Sequence, residues 1–128
     1  MLLTYAAMPR RFEVLVVEDD DDVREALLFL LEDEGVHAVG ATDGRDALEK
    51  IENGLRPALI LLDLMMPVMD GWAFRAAQLA DPRLAQIPVV ILSAATDVDR
   101  HAAQLRVDEY LVKPLDMPLL LDAVERHL

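Results

Sequence analysis

Apolar residues fall along this chain in two alternating patterns. Short, nearly continuous apolar runs occupy residues 12–17, 36–41, 58–62, 89–92 and 109–112. Runs of that length, rich in valine, leucine and isoleucine, are expected of strands buried on both faces, as in a parallel sheet. The run at 36–41 is the weakest and is expected at an edge. After each strand the spacing changes. Val23, Ala26, Leu27, Leu30 and Leu31 recur at i, i+3, i+4, i+7 and i+8, one face of a helix. Ala47, Leu48 and Ile51 mark a second helix, and the alanine-rich residues 72–80 a third. Val98, Ala102 and Leu105 mark a fourth, and Leu120, Ala123, Val124 and Leu128 a fifth. The punctuation agrees. Gly35 and Asn53-Gly54 end helices, Asp43-Gly44 predicts a turn, Asp81-Pro82 closes the third helix, and Pro88 opens the fourth strand. Asp116 suits an N-cap, with Pro118 in the first turn behind it. Five βα units in strict alternation predict one α/β domain, a doubly wound parallel sheet with helices on both faces.

One stretch organises the rest. The central run stops at a single carboxylate, Asp63, and then meets Pro67, Asp70 and Gly71. In open parallel sheets, ligands and chemistry gather at the carboxyl ends of the strands, where Asp63 has no packing role. The other strand ends add to it. The first carries Glu18 and Asp19, the fourth Ser93, and the fifth Lys113 followed by Pro114. Each group alone has a plainer explanation: a solvent-facing strand end, a cap, a solvated charge. Asp21 and Asp22 are best read as complementing the N-terminus of the first helix. Jointly the strand ends are informative, because all fall on one edge. Three converging carboxylates repel one another unless a cation joins them. An all-oxygen set without Cys or His nearby favours a hard ion, Mg²⁺ above all. Lys113, one of two lysines against ten arginines, adds a compact positive charge. The Ser93 hydroxyl and the backbone N–H groups around it can donate to phosphoryl oxygens. Metal, lysine and hydroxyl are the apparatus of phosphoryl transfer.

Composition narrows the field. The 128 residues are 54% hydrophobic, enough for a real core in one domain. A net charge of −12 repels phosphate backbones, so direct nucleic-acid binding is not expected. The chain has no cysteine, hence no disulfide or thiolate metal site. Nothing resembles a signal peptide, and no run approaches the roughly 20 apolar residues of a membrane span, so a cytoplasmic location is expected. Residues 1–11 are expected to form a flexible extension ahead of a domain at 12–128.

Four motifs, in this order and spacing, resemble a response-regulator receiver domain of bacterial two-component signalling. They are Val-Val-Glu-Asp-Asp from Val16, Leu-Leu-Asp-Leu-Met-Met-Pro-Val-Met-Asp-Gly from Leu61, Leu-Ser-Ala from Leu92, and Tyr-Leu-Val-Lys-Pro from Tyr110. The resemblance implies a flavodoxin-like fold with strand order 2-1-3-4-5 and five helices, acting as a stand-alone phosphoacceptor switch. Asp63 would accept a phosphoryl group from a histidine kinase or histidine phosphotransfer protein. Asp19, Asp63 and the main-chain carbonyl of Met65 would bind Mg²⁺ directly, and Glu18 mostly through water. Lys113, Ser93 and Ala94 would contact the phosphoryl group, and Tyr110 would follow Ser93 inward. The Lys113–Pro114 peptide would be cis. The signal would reach an unidentified downstream protein through the surface of the fourth helix, fifth strand and fifth helix. The chain would be a monomer or a weak, phosphorylation-dependent dimer.

Some residues depart from that pattern. Arg106 and Val107 stand where the family often has Gly-Ala ahead of the fifth strand; if that glycine is left-handed, Arg106 is strained or the loop differs. Met65 and Ala95, two residues past Asp63 and Ser93, cannot orient an attacking water, so a moderately long-lived phosphorylated form is expected. His37, His101 and His127 are expected at the surface, and Trp72 beside the site loop. Two other functions compete. A Mg²⁺-dependent phosphatase of the haloacid-dehalogenase type would carry its aspartate after the first strand, in an Asp-x-Asp pattern with a cap insertion. A binding module that no longer takes phosphate has no need of Glu18, Asp19, Asp63, Ser93 and Lys113 together.

Overall fold

A computed structural model describes residues 13–94, 105–107 and 109–128. Five parallel strands form one sheet in the order β2-β1-β3-β4-β5: β1 Glu13–Val17, β2 His37–Ala41, β3 Leu59–Asp63, β4 Val89–Ser93 and β5 Glu109–Val112. The weak second run is an edge strand, as its composition predicts. Four helices lie among the described residues: α1 Asp21–Asp33, α2 Gly44–Glu52, α3 Gly71–Ala80 and α4 Met117–His127. Of the helix expected through Val98, Ala102 and Leu105, only Leu105 is described, and the proposed extension at 1–11 lies wholly outside the described residues.

The alternation of strand side chains divides the core in two. Leu15, Val17, Ile60, Leu62, Val89 and Ile91 face Ala47 and Ile51 of α2 and Phe74 of α3. Val14, Val16, Leu59, Leu61, Val90 and Leu92 face Leu27 and Leu31 of α1 and Leu120 and Val124 of α4. Successive strand residues point to opposite faces, so runs apolar at every position need helices on both sides. β3, at the centre, is buried throughout.

Local signals set the ends. Asp20, Asp43, Asp70 and Asp116 each cap a helix, accepting a backbone N–H from the third residue on. Asp43 therefore begins α2 itself, where the sequence predicted only a turn with Gly44. α1 and α2 end in Schellman motifs: Gly35 N–H donates to Glu32 O and Val36 N–H to Leu31 O, while Gly54 and Leu55 donate to Ile51 O and Lys50 O. Gly35 and Gly54 have φ of +84° and +113°, conformations a side chain disfavours.

Candidate functional site

Asp63 is the last residue of β3 and Glu18 follows β1 directly, its N–H still bonded to Ala41 O at 3.0 Å. Parallel register places these ends side by side: Val17 opposite Leu62, Asp63 opposite Leu92, and Ser93 opposite Val112. Lys113 follows β5, its N–H donating to Ser93 O at 2.9 Å. The fold thus brings Glu18, Asp19, Asp63, Ser93 and Lys113 to one edge. Carboxylate oxygens of Glu18, Asp19 and Asp63 all lie within 4.8 Å of one another, an arrangement that could hold a metal ion. Glu18 and Asp63 are buried, whereas Asp19 is exposed and leaves the cluster open to solvent. Ser93 is fully buried, Ala94 is exposed at the mouth, and Tyr110, opposite Ile91 in β5, packs on the α2–α3 side of the core. The Lys113–Pro114 peptide is cis.

The charges are unevenly matched. Lys113 Nζ lies 2.6 Å from Glu18 Oε1 but 3.6 Å from Asp63 Oδ1. Glu18 also accepts from Asp20 N–H at 3.1 Å. Asp63 is left with burial and the Glu18 charge working against its ionisation; together they push its pKa up to about 7, although Lys113 and the Met65 N–H favour the anion. In the same cluster the lysine's pKa is raised, burial opposing while Glu18 and then Asp63 favour the ammonium. A further cation would remove the repulsion that holds Asp63 back. Hard oxygen donors, closely spaced and partly solvent-accessible, fit Mg²⁺.

Two residues that carry no chemistry shape the approach to Asp63. Val68 has φ of +66°, in a tight turn closed by Met69 N–H donating to Pro67 O at 2.7 Å. That is a γ-turn of the strained hand, and it leaves Val68 and Met65 exposed on the rim. Gly71, first residue of α3, donates to Leu64 O at 2.9 Å; a Cβ there would lie 2.6 Å from Asp63 O and 2.7 Å from Leu64 Cα. Backbone on both sides leaves nothing to yield. Gly71→Ala is expected to lower stability by about 3 kcal/mol, the upper part of the overpacking range, measured by urea unfolding.

Arg106 does adopt a left-handed conformation, φ +56°. Sequence reasoning missed what holds it. Arg75, buried in α3, donates from Nε to Leu105 O at 2.9 Å, from Nη2 to Arg106 O at 2.6 Å, and from Nη1 to Gln78 Oε1 at 2.7 Å. Gln78, also buried, donates to Leu84 O and Ile87 O. A polar pair inside an alanine-rich helix leaves no mark on apolar periodicity. An arginine three residues ahead of a glutamine is the only hint the sequence offers.

The remaining predicted positions are peripheral. Trp72 is half-buried against the α2–α3 side of the core, with Met66 and Met69 of the site loop packed on the same cluster. His37 is half-buried with Glu13 and Glu32 within 3.5 Å, and His127 lies against Glu109 together with Arg126. His101 lies outside the described residues. Among the described residues no helix is long and apolar enough to cross a membrane.

The sequence matches the family described as response regulator receiver domain over residues 14–125. It is 37% identical over 121 residues to the transcriptional regulatory protein PdtaR of Mycobacterium tuberculosis, covering 94% of this chain and 57% of that protein. The chain thus spans about half the length of several curated relatives. It covers 90% of a 14.6 kDa protein of Leptolyngbya boryana, at 36% identity over 119 residues. A response regulator receiver protein from Pseudomonas putida superposes with a TM-score of 0.84 at 32% identity, over 93% of this chain and 99% of that one. The response regulator TrrA of Thermotoga maritima, solved with Mg²⁺ and BeF, superposes at 0.81 and 27% identity, over 91% and 99%.

Proposed function

The chain belongs to the response regulator receiver domain family, and from that premise we propose that it is a Mg²⁺-assisted phosphoacceptor switch with Asp63 as the acceptor. The observation that carries this reading is the juxtaposition of Glu18, Asp19 and Asp63 within 4.8 Å, with Lys113 against two of them. Asp19, Asp63 and the Met65 carbonyl would hold the ion, with Glu18 reaching it through water. Bound there, Mg²⁺ would supply charge neutralisation for the transferring group. An Asp63 oxygen attacks the phosphorus of a phosphohistidine on a kinase or phosphotransfer protein; a P–O bond forms, the P–N bond breaks, and the imidazole departs with a proton. Lys113 steadies a phosphoryl oxygen, and Ser93 and the Ala94 N–H donate to the others. Ser93 and Tyr110 then shift together and alter the surface formed by the fourth predicted helix, β5 and α4, which a downstream protein reads. Outside its own phosphorylation and dephosphorylation the domain catalyses nothing. We place the domain at residues 12–128, in the cytoplasm, as a monomer or a weak dimer once phosphorylated.

Beryllofluoride, which adopts the shape of a phosphoryl group, tests the site without a kinase. Binding followed by Trp72 fluorescence is expected with Mg²⁺ and absent without it; binding indifferent to the metal would contradict the reading. The phosphorylated form is expected to persist, because Met65 offers no group to orient a water and neither does Ala95, which lies outside the described residues. Met65→Asn and Ala95→Glu are each expected to speed phosphate release several-fold, about 1 kcal/mol of barrier. No acceleration in either would refute that expectation.

A further inference from the structure

We propose that Arg75 is a positioning residue that ties the Asp63 edge to the turn ahead of β5, an inference that rests on the phosphoacceptor reading. α3 has no slack at its start: Gly71 touches Asp63 O and Leu64 Cα so closely that a Cβ would not fit. Arg75 lies one turn further on, on the same buried face, since residues four apart in a helix stand above one another. Its guanidinium spans to Leu105 O and Arg106 O, two successive carbonyls of another segment. Gln78 fixes the fork from behind through Arg75 Nη1 and anchors it to Leu84 O and Ile87 O. Every bond in this chain is 3.0 Å or shorter and involves a buried side chain.

The turn it grips is strained. Arg106 is a non-glycine residue at φ +56°, a conformation that persists only while its surroundings enforce it. Three residues later begins β5, which carries Tyr110 and delivers Lys113 to the site. A shift of the Asp63 main chain on loading therefore moves α3 directly. Through Arg75 it acts on the left-handed turn, and with it on the start of the output strand. This linkage runs along the α3 face of the sheet, the side on which Tyr110 packs, and reaches β5 without passing through Ser93. A strained two-state element biased from the site is the physical requirement for such coupling.

Amide hydrogen exchange tests both halves on the intact chain. The variant Arg75→Met with Gln78→Leu removes both side chains of the buried pair and takes the α3 donors away from Leu105 O and Arg106 O. Arg75→Lys keeps the charge but cannot span two carbonyls, and it serves should the double variant fail to fold. Without ligand, exchange at Arg106, Val107 and Glu109 is expected to quicken about tenfold in either variant, with β1 and β3 unchanged. Wild-type protection there in the variants would show that Arg75 does not hold the turn. With Mg²⁺ and beryllofluoride, wild type is expected to change at Leu105–Val107 as well as at the Asp63 loop. In the variants the loop response remains and the distal one is lost. A distal response equal to wild type would overturn the linkage. A wild type that responds nowhere would contradict the phosphoacceptor reading and the linkage with it, while the unliganded arm still decides whether Arg75 positions the turn.

Discussion

Asp63→Asn is expected to abolish phosphoryl uptake and, without metal, to make the protein more stable above neutral pH. Burial and Glu18 push Asp63 up to about 7 in the folded chain, against an ordinary value of 3.8. Between roughly pH 4 and pH 7 the folded state holds a proton that the unfolded state has released. Stability from this group therefore falls as pH rises through that window and levels off above it. Three pH units correspond to at most about 4 kcal/mol. Asparagine forfeits the charge-assisted bond from the Met65 N–H and the ion pair with Lys113, so a net gain of about 1–3 kcal/mol at pH 8 is expected. Thermal unfolding of both proteins from pH 4 to 8 checks it: the curves should meet near pH 4 and separate towards pH 8. Millimolar Mg²⁺ should raise wild type and leave the variant unmoved, closing the gap. Curves that stay parallel would show that Asp63 carries no electrostatic strain.

Lys113→Met is expected to damage stability and function together. The lysine is the one cation within 4.0 Å of the Glu18 and Asp63 carboxylate oxygens among the described residues, and both carboxylates are buried. Methionine keeps the apolar stem and leaves two buried anions uncompensated. Losing one member of a buried pair costs about 3–5 kcal/mol; partial exposure of the lysine head favours the lower end. The deficit should shrink as pH falls through about 7, where Asp63 takes up its proton. Phosphoryl uptake should slow roughly 10²- to 10³-fold, the usual effect of removing one preorganised electrostatic donor. Urea unfolding at two pH values and phosphoryl uptake with time measure the two effects. An unfolding midpoint unchanged at neutral pH would place the compensating charge elsewhere.

These electrostatics were only partly legible beforehand. The site could be read because four of the five apolar runs stop at the residue that carries chemistry, and parallel register then sets those residues side by side. Alternating core faces followed from runs apolar at every position. Convergence of Glu18, Asp19, Asp63, Ser93 and Lys113 on one edge was therefore implicit in element order alone. Pairing preferences were not: that Lys113 sits against Glu18, leaving Asp63 as the strained acid, depends on ångström-scale reach. Arg106 posed a choice between strain and a different loop, and strain prevails because Arg75 grips its carbonyl from another element. Nothing local to Arg106 or Arg75 encodes that contact. Val68 is similarly opaque, since a β-branched residue at positive φ runs against its own preference and is held by the surrounding loop.

Intact mass after incubation with Mg²⁺ and acetyl phosphate bears most directly on the phosphoacceptor assignment. Wild type should gain one phosphoryl group, and the gain should vanish in Asp63→Asn and on chelating the metal. An adduct that survives in Asp63→Asn, or that forms equally without Mg²⁺, would contradict the assignment of Asp63 and its metal-assisted chemistry.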